Sequence, residues 1–270
     1  MKITVVFYIQ IMINFNTIKQ NDRIYYLSSK EKNTFDYKIY IELRKKEGRL
    51  YSDEQLKKLP YLKLGNQLDK EWKVRSKTFE SLLKYFRRKI DLKVLEVGCG
   101  NGWLSNGISL NTNNYVVGLD LNEIELKQAA EVFIQNKKLD FAYGDIFENI
   151  FPPASFDAVI FASSVQYFQN LTELINRVFH FLKEKCEIHI IDSNFYTSAE
   201  INAAKKRTEK YYEDLGFPEM IKYYHHHLWE DLKDFNFSIQ NQKSIFLTKI
   251  KNKVFKNKTI VFPWIKIVKS

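Results

Sequence analysis

Three runs in the middle of the chain put glycines and carboxylates at spacings that a ligand could use. Glu96-Val97-Gly98-Cys99-Gly100-Asn101-Gly102 places an acid ahead of three glycines at alternate positions. Glycine turns the backbone sharply and lets a ligand approach where a Cβ would stand in the way. Eighteen residues after Gly102 comes Gly118-Leu119-Asp120, followed by Leu121. A carboxylate there can accept hydrogen bonds from both hydroxyls of a ribose; its alternative role is to cap the next helix. Gly144-Asp145-Ile146 supplies another acid, placed to accept a hydrogen bond from an exocyclic amine. A fourth run, Phe156-Asp157-Ala158-Val159-Ile160-Phe161, ends in Ala162-Ser163-Ser164, whose small side chains leave space. Asp157 opens that run and reads as structural.

Two phosphate-binding patterns are excluded. The dinucleotide fingerprint needs a glycine where Trp103 stands, so NADH is not expected to bind, and no Gly-Lys-Ser/Thr follows as a phosphate loop requires. The remaining alternative is a tight strand-to-helix turn with no ligand. The triplet His225-His226-His227 cannot converge on one metal, because neighbours on a helix point about 100° apart. No metal is expected there. His226 is a candidate general base, or else a half-buried histidine among tyrosines.

These runs must be positioned by strands that end at them. β-rich stretches at Lys93–Val97, Tyr115–Leu119, Leu139–Tyr143, Phe156–Phe161 and Cys186–Ile191 alternate with helices near Trp103–Leu110, Ile124–Asn136, Leu171–Leu182 and Ala199–Leu215, the pattern of a parallel sheet covered by helices. Such sheets bind ligands at the carboxyl ends of their strands. Ahead of them, helices are predicted over Tyr37–Glu47, Ser52–Lys58 and Glu71–Lys89. The last has Phe79, Leu82, Leu83 and Phe86 at i, i+3, i+4 and i+7.

The ordered set Glu-x-Gly-x-Gly-x-Gly, Gly-x-Asp, Gly-Asp and Phe-Asp-x-Val resembles the class I S-adenosylmethionine-dependent methyltransferases over about residues 89–191. The resemblance implies an α/β, Rossmann-like fold: a mostly parallel seven-stranded sheet with helices on both faces and its last strand antiparallel. It also implies S-adenosyl-L-methionine as cofactor. Gly98, Gly100 and Gly102 would approach its methionine part, with Glu96 near the ammonium. Asp120 would hold the ribose with Leu121 beside it, Asp145 and Ile146 the adenine, and Ala162 and Ser163 would flank the sulfonium. Arg75, in Glu71-Trp72-Lys73-Val74-Arg75, would meet the cofactor carboxylate, with Trp72 as lid surface; helix packing and a surface charge is the alternative. Gln166 and Tyr167 would wall the acceptor pocket, or pack at a helix start. Methyl transfer from a sulfonium needs chiefly alignment of nucleophile, methyl and sulfur, and a base only if the acceptor is protonated.

The chain has 270 residues, 45% of them hydrophobic and 27% charged, which excludes a disordered or disulfide-scaffold protein. Two distant cysteines, Cys99 and Cys186, fit a reducing, cytoplasmic setting. The net charge of +10 divides unevenly: residues 1–93 carry 22 basic and 11 acidic groups, 94–200 carry 6 and 14, and 201–270 carry 14 and 7. Of the 42 basic residues 34 are Lys, whereas bidentate phosphate recognition favours Arg. A solvated surface is the expected meaning, and nucleic acid a possible but less favoured partner. The apolar run 3–15 is too short to span a bilayer and lacks a cleavage pattern; Met12 is an alternative start.

Residues 1–70 read as an N-terminal extension and lid, and 71–270 as the methyltransferase domain with an insert around 192–235. Phe237–Leu247 and Thr259–Val268 are the expected final strand pair, a hairpin with one basic face, since Lys243 to Ser270 contains eight lysines and no acid. Pro263 suits an edge or a bulge. The leading function is methyl transfer to a small-molecule acceptor. The alternatives are a nucleic-acid or protein methyltransferase, which would use the basic flanks, and a noncatalytic cofactor-binding module.

Overall fold

The structure is a computed structural model that describes residues 19–21, 24–29, 36–255 and 261–269; the apolar run 3–15 and Met12 lie outside them. At its centre are β3 (Lys93–Val97), β4 (Tyr115–Asp120), β5 (Leu139–Tyr143), β6 (Phe156–Ala162) and β7 (Leu182–Ile191), all mutually parallel. Their side chains alternate between two buried layers, as a strand's period of two requires. Leu95, Val97, Val117, Leu119, Val159 and Phe161 enter one core, and Val94, Val116, Ala158 and Ile160 the other. Because both faces are covered, these strands read as nearly continuous apolar runs.

Helices α3 (Leu68–Phe86), α4 (Trp103–Asn111) and α5 (Glu123–Val132) contribute to the second core. In α3 the stripe Phe79, Leu82, Leu83 and Phe86 is buried as its spacing predicts. That helix begins three residues earlier than the apolar stripe suggests, because Asn66 Oδ1 accepts the Leu68 N–H at 2.8 Å and caps the turn. On the opposite face α6 (Leu171–Phe181) packs Leu174, Ile175 and Val178, its first turn held by Asn170. Helix α1 (Tyr37–Lys46), capped by Asp36, and the single-turn α2 (Asp53–Leu56), with a Ser52–Gln55 capping box, precede α3.

The chain adds more to the sheet than the seven expected strands. Its order is β1-β2-β5-β4-β3-β6-β7-β11-β10, where β1 (Lys19–Asn21) and β2 (Ile24–Tyr26) extend one edge. These three-residue strands are too short to show a period, yet Ile24 is fully buried and pairs with Phe141. Within this order, the seven strands from β5 to β10 are the expected set, and β11 (Ile265–Val268) is antiparallel to both neighbours as expected.

The expected C-terminal hairpin is corrected. β10 (Phe237–Ile239) stops early and the chain turns into helix α8 (Gln242–Phe255) before β11. Asn241 makes the junction: its Nδ2 donates to the Phe262 carbonyl at 2.8 Å and its Oδ1 accepts the Trp264 N–H at 2.9 Å. Pro263 falls just before β11, so the ladder loses no donor, and β11 is an interior strand between β7 and β10. Between β7 and β10 the chain forms β8 (Phe195–Tyr196), α7 (Ile201–Leu215) and β9 (His227–Leu228), with β8 and β9 in a separate parallel pair.

Candidate functional site

The carboxyl ends of β3, β4, β5 and β6 open into one cleft of about 200 Å³. Of the residues singled out in the sequence, Gly98, Gly100, Asp120, Leu121, Asp145, Ile146, Ser163 and Tyr167 line it together. The glycine loop and Asp120 are tied to each other. The Asp120 carboxylate accepts the Gly100 N–H and the Asn122 N–H, both at 2.7 Å. It does not cap α5; Asn122 does, accepting from Ile124 and Glu125 N–H groups. Asp120 therefore lines the cleft and also fixes the loop. Asp145 accepts the Phe147 N–H at 2.9 Å, which fixes its turn. At the end of β6, Ser163 takes a left-handed backbone (φ 56°), and Ser164 is anchored by its hydroxyl on the Val97 carbonyl at 2.7 Å.

Six predicted residues stand outside the cleft lining. Glu96 is buried beneath the loop, where the Ser105 hydroxyl donates to it. Gly102 is required by packing: at φ 71°, a Cβ would meet the Phe141 ring at 2.5 Å. Ala162 is half-buried against the second core. Arg75 is held by Glu71 at 2.9 Å and donates to the Ser163 hydroxyl at 3.2 Å. Gln166 donates to the Ser163 carbonyl at 2.6 Å. His226 also lies off the cleft, its Nε2 2.9 Å from the Thr208 hydroxyl. Burial, reinforced by Lys205, lowers its pKa to about 4, so it is neutral at physiological pH. Among the described residues no His/Cys/Asp/Glu group could hold a metal. Trp103 packs edge-on against Trp72 and Phe79 in the core, so Trp72 is a packing residue and not a lid surface.

Several lining residues were not among the candidates: Tyr37 and Tyr40 of α1, Asn122 and Glu125. Asn122 and Glu125 had a signal, since an Asn followed three residues later by Glu just after a strand marks a helix start. Tyr37 and Tyr40 had none, because α1 reaches the cleft only through tertiary packing. Arg44, one turn beyond Tyr40, donates to the Tyr167 hydroxyl at 3.1 Å and pairs with Glu47 at 2.8 Å. These contacts fasten the helix across the opening.

The site is electrostatically loaded. Burial pushes the Glu96 carboxyl up to about 8, and burial together with the Asp120 charge pushes Glu125 up to about 7. Burial raises Asp120 as well, opposed by the backbone N–H groups it accepts. Buried acids of this kind favour partners that donate hydrogen bonds, such as hydroxyls or an ammonium.

A family model described as a methyltransferase domain matches residues 88–254. The chain belongs to this family. The donor set of the cleft fits S-adenosylmethionine: an acid at the end of β4 for hydroxyl donors, with the glycine loop beside it. A sterol 24-C-methyltransferase of Neurospora crassa is 31% identical over 98 residues, covering 35% of this chain and 26% of that protein. A malonyl-[acyl-carrier protein] O-methyltransferase of Acinetobacter baylyi is 28% identical over 95 residues, covering 34% and 35%. The matched part thus spans about a quarter to a third of the length of these curated relatives. Among solved structures, the YcgJ protein of Bacillus subtilis superposes with a TM-score of 0.54 at 13% identity, over 72% of this methyltransferase and 98% of that chain, and so shares its fold.

Proposed function

We propose that this methyltransferase transfers the methyl group to a small hydrophilic or aromatic molecule. The observation that carries this reading is the aromatic lining: Tyr37, Tyr40 and Tyr167 stand in the same cleft as the cofactor residues, and such walls suit a small acceptor better than a polymer. When bound, S-adenosylmethionine supplies an activated methyl group. The chain's own work is alignment and exclusion of water. Asp120 and Leu121 take the ribose, Asp145 and Ile146 the adenine, and Gly98 and Gly100 the methionine part; Ser163, oriented by Arg75 and Gln166, faces the reacting centre. Glu96, Gly102 and Ala162 support these groups from beneath, and α1 acts as the lid. No side chain in the cleft is assigned as a general base, and His226 is not required.

The relatives named above act on chemically different acceptors, a sterol and a malonyl-carrier protein by their names, so they do not choose the acceptor of this chain. No helix among the described residues is long and apolar enough to cross a membrane. Cys99 and Cys186 are both free thiols, which supports the cytoplasmic setting as part of this proposal. The test is incubation with radiolabelled S-adenosylmethionine and a fractionated cell extract. Label is expected in the small-molecule fraction; label confined to nucleic acid or protein overturns the reading.

A further inference from the structure

Helix α8 carries exposed apolar side chains that no described residue buries. None of its described side chains is buried, and Phe246, Leu247 and Ile250 are 64%, 56% and 44% exposed. At 100° per residue these three fall on one side of the helix. Elsewhere among the described residues, large exposed apolar side chains such as Leu50, Ile90 and Leu110 stand apart from one another in sequence, which is ordinary for a protein surface. The group on α8 is not ordinary, because three such residues share one helical face.

The charges around this face identify its partner. On the helical wheel Lys253 borders the apolar arc on one side and Lys251 on the other, while Lys243 closes its N-terminal end, and all three are exposed. No acidic residue occurs from Lys243 to Ser270. A second copy of the same face would bring these lysines against each other, a like-charge contact that disfavours self-association. Nucleic acid would meet the lysines but leave the apolar residues in water. An anionic bilayer surface satisfies both, with apolar side chains entering the headgroup–acyl boundary and lysines remaining at the headgroups.

We propose that α8 is an interfacial helix that seats this domain on anionic lipid surfaces through Phe246, Leu247 and Ile250, bordered by Lys243, Lys251 and Lys253. The helix lies along the surface and does not span it: its 14 residues make a rod of about 21 Å. The proposal is independent of the acceptor assignment.

The test is co-sedimentation of the full chain with vesicles of phosphatidylcholine alone and of phosphatidylcholine mixed with phosphatidylserine. Binding is expected to the mixed vesicles only and to weaken as salt is raised. Phe246→Ser combined with Ile250→Ser is expected to weaken it by roughly tenfold, and each of Lys243→Gln, Lys251→Gln and Lys253→Gln by roughly fivefold. Thermal melting of every variant is compared with the parent, and the singly substituted, exposed Lys251→Glu gives a second reading if the apolar pair does not fold. Absence of binding to the mixed vesicles at low salt overturns the proposal. So does binding that all the variants retain. A concentration-dependent dimer lost in the Phe246→Ser/Ile250→Ser variant, or duplex DNA binding lost in the lysine variants, in either case without vesicle binding, assigns the face to those partners instead.

Discussion

Asp120 does two things at once, and Asp120→Ala removes both. Its oxygens hold Gly100 and Asn122 N–H groups at 2.7 Å while facing the cleft. Asp120→Ala is expected to weaken binding of the demethylated cofactor by about 1–3 kcal/mol, the cost of leaving donors without their charged partner; calorimetry showing an unchanged dissociation constant would remove Asp120 from the site. Glu96 makes a pH prediction. Its folded pKa is raised from 4.5 to about 8, and that of Glu125 from 4.5 to about 7. Their protonated forms therefore suit the fold, and their contribution to stability is complete below about 4.5 and lost as pH rises toward 8. A melting series over that range is expected to show a decline for the parent and a shallower one for Glu96→Gln. At this scale the sequence named Asp120, Asp145 and the first two glycines of the loop correctly as cleft residues, because each ends a strand. It did not foresee that Arg75 and Gln166 reach the cleft through Ser163: which neighbour a side chain meets is decided by packing that spacing does not encode.

At the scale of elements, the strand ends depend on close contacts that a single methyl group would break. Gly102→Ala combines a left-handed backbone with a Cβ 2.5 Å from the Phe141 ring, and is expected to cost about 2–4 kcal/mol in a denaturant titration. Gly216, at φ 83° after α7 but with open space around it, is the control: Gly216→Ala should cost about 1 kcal/mol, the backbone contribution alone. Equal losses would remove the packing argument. The central strands and α3 were legible because burial on fixed faces imposes a period. The C-terminal region was not, since Ile245-Phe246-Leu247 has strand-like composition, and helix α8 buries nothing that would imprint a helical pattern. A lid was expected somewhere in residues 1–70, but nothing in the sequence singled out Tyr37 and Tyr40 of the proposed one. Tyr40→Ala should speed release of bound cofactor product, measured by stopped-flow fluorescence, with a loss of thermal stability from its packing on Tyr167 and Arg44; an unchanged release rate would argue against a lid.

For the whole molecule, the question is what a net charge of +10 is for. If the basic flanks are solvation and a lipid-facing helix, adding DNA should leave methyl transfer unchanged, and any nucleic-acid affinity should collapse with salt. Activity that rises with DNA would favour a polymer substrate. The partition of charge was readable from the sequence alone, but its placement was not: the lysines of α8 acquire meaning only when they are seen exposed beside Phe246, Leu247 and Ile250.

One topological fact bears on how this protein is made. Ile265 of β11 pairs with Ile190 of β7, so the sheet's interior is finished by residues translated long after the strand they join. Until then the nascent chain exposes the apolar edge of β7, Ile188 to Ile191, as a template for unwanted strand pairing. Slower translation or a lower growth temperature would not shorten that exposure for each chain, but fewer simultaneous chains would make encounters between them rarer. Yield of soluble protein should therefore respond more to expression level and chaperone supply than to additives applied after lysis.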